Sequence, residues 1–270
     1  RVGSSGAAGS IAIGYGALEI TTTGSQNVAI GYQALNANTT NGSNTVVGYQ
    51  AMLLGDPSGG YNTAVGALAL RNCTSTYNTA VGAGALYANS AGQHNVGVGA
   101  NTHSSYNYSY CTAVGSHAMQ SNQAPYATAV GFEAAKVNRG WGMTAIGYQA
   151  LTACNSVSIG STAVGYLALS ATTWPGNTAI GYNAGLVVTT GSDNVFVGFN
   201  ADATVAATSN AIAIGKDAKA ASNQIVIGNA SNTKFTIPIG AVPAYADQAT
   251  AIANGLTSGD LWRDTGGNNG

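Results

Sequence analysis

The sequence predicts an all-β protein, a parallel β-solenoid or β-roll of about fourteen coils with 16–18 residues each. A glycine follows a short β-branched stretch in every copy, and the residue before it is always Val or Ile. The steps between these repeat glycines are 16 to 18 residues, apart from a last step of 13. Such a period is too short for helix-pair, propeller or leucine-rich repeats and suits one coil of two short strands and two turns. The repeat glycines are Gly14, Gly31, Gly48, Gly66, Gly82, Gly99, Gly115, Gly131, Gly147, Gly165, Gly181, Gly198, Gly215 and Gly228.

The three residues before each repeat glycine form the predicted strand. Thr, Val or Ile stands first, Val or Ile stands third, and the residue between them is Ala in ten copies. This alternation has the period of two that is typical of a strand. We expect the bulky face to point into a core, which would contain Val65, Val81, Val114, Val130, Ile146, Val164 and Ile180. The Ala and Gly face would then pack closely against another layer or chain, with close-packing glycines at Gly66, Gly82, Gly115, Gly147, Gly165 and Gly181.

An aromatic residue follows the repeat glycine in eight copies. This aromatic stripe contains Tyr15, Tyr32, Tyr49, Tyr148, Tyr166 and Tyr182, with Phe132 and Phe199 in the same register. Ala67, Ala83, Ala100 and Ser116 interrupt it. The interruption favours a core or interface stripe over a strip for stacking carbohydrate.

Composition bears on the partners. Only 6% of the residues are charged and the net charge is −1, so no nucleic acid partner is expected. No apolar stretch approaches the ~20 residues of a membrane span, so membrane insertion is not expected either. Each coil offers little bulky apolar area against the backbone entropy of ordering it. We therefore expect self-association.

Residues for catalysis, cofactor binding or metal binding do not form a pattern, so we expect none of these sites and no enzyme activity. Asp202 and Asp217 lie in adjacent copies and could be neighbours, but solvated loop acids are the better interpretation. His94, His103 and His117 fall at different registers, without the spacing of metal ligands. Cys73, Cys111 and Cys154 are expected to be small buried or half-buried residues. The strand threonines share a register, as on ice-binding solenoids, but sharing a face with Val or Ile argues for inward packing or a chain interface.

The repeats resemble the head repeats of bacterial trimeric autotransporter adhesins, which are left-handed parallel β-rolls. The closest versions are N-V-A-I-G at 27–31, N-T-A-V-G at 62–66 and N-A-I-A-I-G at 210–215. The repeats here are longer, Thr often replaces the first Val, and Tyr follows the glycine. The resemblance implies a homotrimer, intertwined or side by side.

The repeats N-T-A-V-G-Y-x-A-L are also similar to those of phage tail-fibre proteins, and so is the closing stretch G-L-T-S-G-D-L-W-R-D-T-G-G at 255–267. This resemblance implies the shaft of a virion tail fibre, which joins other tail proteins and presents a host-receptor-binding end to a surface glycan or protein. A bacterial cell-surface adhesin or extracellular filament that binds matrix or glycan is the alternative, and a polysaccharide-degrading tailspike is a third reading.

Three segments are expected along the chain: a lead-in over 1–10, the repeats over 11–228, and a C-terminal cap or receptor-binding tip over 229–270. An alanine-rich helix is predicted over 244–254, with Gly255 as its stop.

Overall fold

A computed structural model describes residues 8–54, 60–105, 107–153, 160–232, 244–245 and 263–264. Fourteen three-residue strands form one parallel sheet, with neighbours in chain order, which confirms the predicted parallel β-solenoid. Each of these strands ends at the residue before a repeat glycine, and a coil is named below by that glycine. The strands are β1 (Ile11–Ile13), β2 (Val28–Ile30), β3 (Thr45–Val47), β4 (Thr63–Val65), β5 (Thr79–Val81), β6 (Val96–Val98), β7 (Thr112–Val114), β9 (Thr128–Val130), β11 (Thr144–Ile146), β12 (Thr162–Val164), β13 (Thr178–Ile180), β14 (Val195–Val197), β16 (Ile212–Ile214) and β18 (Ile225–Ile227).

Two small parallel sheets also join successive coils. They pair β8 (Ser121–Asn122) with β10 (Val137–Asn138), and β15 (Asp202–Ala203) with β17 (Lys219–Ala220). In the large sheet, equivalent residues pair with each other, as Ala64 does with Ala80. Every repeat position therefore forms a column along the sheet.

The direction of the strand side chains corrects the predicted core. The middle residue of the strand points inward and, in every strand but the first and the last, is fully buried, as Ala64 and Ala80 are. The β-branched residues point outward: Val65, Val81, Ile146 and Ile180 are 36%, 37%, 40% and 45% exposed, and Val114, Val130 and Val164 are half-buried. The prediction that these seven residues form the core is wrong.

The narrow interior of the coil explains this orientation. Its other wall consists of buried Ala and Leu or Met side chains three and four residues after the glycine, such as Ala69 and Leu70. This leaves room for little more than a methyl group from most strands. Where Phe196 replaces the middle alanine, the facing residue of the preceding coil is Gly185, and a Cβ there would lie 2.9 Å from the Phe196 ring. A larger residue on one wall is thus matched by a smaller residue on the other, so the width of the core is unchanged.

The turns depend on left-handed backbone. Gln33, Leu35 and Leu70 have φ values of 51°, 49° and 49°, and the equivalent residues of other coils are similar. None of the non-glycine residues with positive φ in the described ranges is Val, Ile or Thr. Since β-branched residues are the least able to adopt this conformation, the sequence confines them to strands and loops.

The repeat glycines form a column of close backbone contacts. Gly66 has a φ of +132°, and a Cβ built on it would lie 2.6 Å from the carbonyl oxygen of Gly82 in the next coil. The close approach at these glycines is therefore between successive coils of one chain. Glycine is required for both reasons, the backbone conformation and the lack of space.

Buried asparagines four residues before the glycine connect the coils. The Asn44 Oδ1 accepts a hydrogen bond from the backbone N–H of Asn62 at 2.9 Å, and the Asn62 Oδ1 accepts one from the Asn78 N–H at 2.9 Å. The Asn62 Nδ2 donates to the carbonyl of Ser75 at 2.8 Å, which fastens the loop to the strand. These side chains are 0–1% exposed, and the ladder satisfies their polar atoms inside the chain.

The chain divides into two compact units, residues 1–229 and 230–270. In the second unit, β19 (Ala244–Tyr245) pairs in parallel with β20 (Arg263–Asp264). The first two residues of the predicted helix are thus in a strand, because their backbone pairs with β20. Residues 246–254 lie outside the described residues.

Candidate interaction surface

The outward side of the large sheet is an apolar, uncharged surface, which we call the front face. It consists of the first and third residues of the fourteen strands, all of them Thr, Val or Ile. Every one of these side chains is exposed or half-buried. A continuous apolar face of this size is typical of an interaction site rather than of a free surface.

A ladder of aromatic rings borders the front face on the side that follows the glycines, which we call the Tyr15 edge. Its rings stack on those of the next coil, with centroids 5.5 Å apart for Tyr15–Tyr32 and for Tyr32–Tyr49. A second run stacks from Phe132 through Tyr148, Tyr166 and Tyr182 to Phe199, at 4.9–5.5 Å. The rings are 41–73% exposed, so the predicted aromatic stripe lies on the surface of the chain.

A second ladder borders the opposite side of the front face, five residues before the glycines, and we call this side the Tyr61 edge. Tyr61, Tyr77, His94, Tyr110 and Tyr126 stack in order, with centroids 4.8–5.4 Å apart. All five rings are exposed, and all five residues have positive φ. Sequence reasoning missed this ladder, although aligning the copies on the glycine would have revealed it. It also gives His94 a place in a column.

The stacking limits what the ladders can bind. Within a run, each ring face is covered by the ring of the neighbouring coil, with interplanar angles of 6–14°. Only the ring edges and the ends of the runs remain open. A sugar ring stacks on an open aromatic face, so the ladders are poor strips for carbohydrate along their length.

A buried polar cluster occupies the interior near the middle of the repeats. His103 is fully buried at a position where most other coils have Leu or Met, and its Nε2 lies 3.3 Å from the Asn122 Nδ2. The same Nδ2 lies 3.3 Å from the Cys111 Sγ, and the His103 Nδ1 has no partner. Burial lowers the pKa of His103 to about 4, which keeps it neutral at pH 7.

The cysteines resemble ordinary core residues. Cys73 and Cys111 are free and buried, and burial raises the pKa of both thiols. Both are therefore protonated and unreactive near neutral pH. Cys154 lies outside the described residues.

The two acids considered for catalysis do not face each other. Asp202 points into the core, where its carboxylate accepts a hydrogen bond from the backbone N–H of Val187 at 2.9 Å and lies 3.5 Å from the Lys219 Nζ. Burial raises its pKa. Asp217 is half-buried and accepts a hydrogen bond from the Asn200 Nδ2 at 3.0 Å. Asp202 is thus not a solvated loop acid, because its coil places it where others have Leu.

Among the described residues, no group of three or more His, Cys, Asp or Glu side chains is arranged to hold a metal ion. Within the same ranges, the structure contains no helix of the length and apolarity that a membrane crossing requires. Compared with protein-family models, with curated proteins and with solved structures, the chain matches none of them.

Proposed function

We propose that the chain is the shaft of a trimeric fibre, the tail fibre of a phage, which holds a receptor-binding end against a host surface. The front face is the observation that carries this proposal. Fourteen strands present only Thr, Val and Ile outward, without an ionisable residue among them. Burying such side chains in copies of the same chain gains about 25 cal/mol per Å² of apolar area.

The backbone arrangement also suits a shaft. Each coil adds one strand at a spacing of ~4.8 Å, so the repeats extend for about 60 Å. Hydrogen bonds run along the direction of stacking, as from the Thr63 N–H to the Asn78 carbonyl, so tension along the sheet is carried by backbone. The repeats and closing stretch that resemble tail-fibre proteins favour a virion over a cell surface.

Light scattering on the purified chain tests the self-association. We expect a mass of three chains and, by electron microscopy, straight particles. A stable monomer at micromolar concentration would remove the proposal.

An antibody raised against the repeats tests the location. It should decorate fibres that project from virions. Decoration of a bacterial envelope instead would assign the chain to a cell-surface adhesin.

A further inference from the structure

In almost every coil, only one of the two ladders has an aromatic ring. From the Gly14 coil to the Gly198 coil there are twelve coils, and eleven of them have an aromatic ring at only one of the two ladder positions. The exposed Trp141 and Trp174 lie one and two residues before the Tyr61-edge position of their coils and belong to neither ladder. The Tyr61 edge has rings in the five coils from Gly66 to Gly131, and the Tyr15 edge has them in the other seven and in the Gly131 coil. With five rings on one edge and eight on the other, at least one of the twelve coils must carry both. Only the Gly131 coil does.

The residues opposite the rings are small or polar. In the coils where the Tyr61 edge has a ring, the Tyr15 edge has Ala67, Ala83, Ala100 or Ser116, apart from Phe132 in the Gly131 coil. In the remaining coils, the Tyr15 edge has the ring and the Tyr61 edge has Gly9, Gln26, Ser43, Gly142, Gly160, Gly176 or Asp193.

Nothing within one chain requires a ring on one edge to stand opposite a small or polar residue on the other. The two positions are six residues apart on either side of a strand, up to about 20 Å at 3.3 Å per residue. In the Gly131 coil both rings are present, and Tyr126 and Phe132 each stack on a ring of their own ladder. The two edges therefore do not compete for space inside a coil.

One groove lies on each edge at an interruption of its ladder. On the Tyr15 edge, a groove of about 430 Å³ lies over Ala67, Ala83 and Gly84, where the rings are missing. On the Tyr61 edge, a groove of about 320 Å³ lies over Gln26 and Ser43, below Tyr61. At the levels of Ala67 and Ala83, and at the levels of Gln26 and Ser43, the opposite edge of the chain carries rings.

We propose that the Tyr61 edge of one copy packs against the Tyr15 edge of a second copy that is parallel to it and level with it, coil by coil. The rings of Tyr61, Tyr77 and His94 then fill the groove at Ala67 and Ala83, and Tyr32 and Tyr49 fill the groove at Gln26 and Ser43. This arrangement rests on the proposed self-association and specifies which surfaces meet.

The area is sufficient for a stable contact. Thirteen rings, about half exposed, lie in one such interface. A buried aromatic side chain covers 150–250 Å², so burying the exposed half of thirteen rings contributes roughly 1,300 Å². Stable interfaces bury about 1,200–2,000 Å² in total.

The pairing also determines the symmetry. Unlike edges meet, so the contact is heterologous, and it closes into a ring when the copies are related by rotation about an axis parallel to the solenoid. A ring with the front faces toward that axis also buries the front face, which is the arrangement that we propose. An antiparallel pair with the front faces together would instead bring like edges together, the Tyr61 edge of one copy against the Tyr61 edge of the other. A trimer satisfies the pairing at all three contacts.

Moving the aromatic ring from one edge to the other at a single level tests the pairing. Ala83→Tyr places on the Tyr15 edge a residue that this position carries in other coils, so the fold should not change. It places a second ring at a level where the native interface has one and where the groove is to be filled by Tyr77, and we expect association at least about 10-fold weaker. The native interface has two rings at one level only in the Gly131 coil. Adding Tyr77→Ser, which removes the ring from the same coil, should restore it. Adding Tyr126→Ser, three coils away, should not. Sedimentation over a dilution series measures association, and circular dichroism checks the fold.

A cross-link tests the same pairing without changing volumes. With the native cysteines replaced by alanine, Tyr77→Cys with Ala83→Cys should be joined between chains by a short bismaleimide, up to the full oligomer. Tyr77→Cys with Phe132→Cys, which are three levels apart, should stay unlinked. The pairing is overturned if Ala83→Tyr associates as strongly as the parent chain. It is also overturned if Tyr77→Ser and Tyr126→Ser restore association equally, even when the oligomer persists. A monomeric parent chain overturns both this pairing and the fibre proposal.

Discussion

Replacing Gly66 by alanine tests the stacking of the coils. At a φ of +132°, a residue with a side chain costs about 1–3 kcal/mol. The new Cβ would also lie 2.6 Å from the Gly82 oxygen and 2.7 Å from its carbonyl carbon, so the next coil must move. Overpacking of this kind costs about 1–3 kcal/mol, and the sum is about 2–6 kcal/mol. This is a large part of the 5–15 kcal/mol that stabilises a typical domain.

Gly142→Ala is the matched control. Gly142 also has positive φ, at +65°, but nothing lies within 4 Å of its Cβ position. Only the left-handed backbone is penalised there, by about 1–2 kcal/mol. Urea unfolding followed by circular dichroism, at one protein concentration, should show a clearly larger loss of midpoint for Gly66→Ala. Equal losses would refute the close stacking of the repeat glycines.

Three further perturbations test the interior and the front face. Burial holds the pKa of His103 at about 4, below its unfolded value near 6.5. As the pH falls, the unfolded chain therefore takes up the proton at a higher pH than the folded chain does, and the free energy of unfolding should fall by about 3 kcal/mol from pH 6.5 to 4. In His103→Leu, unfolding curves should show no such dependence on pH. Asn44→Ala leaves the buried N–H of Asn62 without its acceptor and should cost about 1–3 kcal/mol in urea unfolding, whereas Asn44→Ser, which keeps an oxygen, should lose less. Ala80→Asp puts a charge in the core and should unfold the chain, which circular dichroism measures. Val81→Asp should leave the chain folded by circular dichroism and monomeric by light scattering. The reverse result would mean that Val81 points inward.

The repeat glycine and the period predicted the solenoid, because a strand that ends at the same residue in every copy can stack on the next in register. The alternation in Thr63–Val65 also identified two faces. It could not say which face is inside, because larger β-branched residues are usually the buried ones. The inside here is decided by the second wall of the coil, where the fully buried Leu70 and its equivalents already fill the interior.

The Tyr61 ladder was missed for another reason. Its residues lie in the polar segment before the strand, and His94 takes the place of a tyrosine in one coil. No single copy reveals their common register, which appears only when the copies are aligned on the repeat glycine. The prediction of a helix over 244–254 followed local alanine content, whereas Ala244–Tyr245 is held by pairing with a segment almost twenty residues further on, which local propensity does not encode.

A distance between two copies tests most directly whether the chains associate parallel and level. With the native cysteines replaced by alanine, a spin label on Ile13→Cys marks the first strand at one end of the solenoid. Parallel, level copies bring the labels together at that end and give one short intermolecular distance. Antiparallel copies place them at opposite ends, about 60 Å apart at ~4.8 Å per coil, and that longer distance would contradict the account.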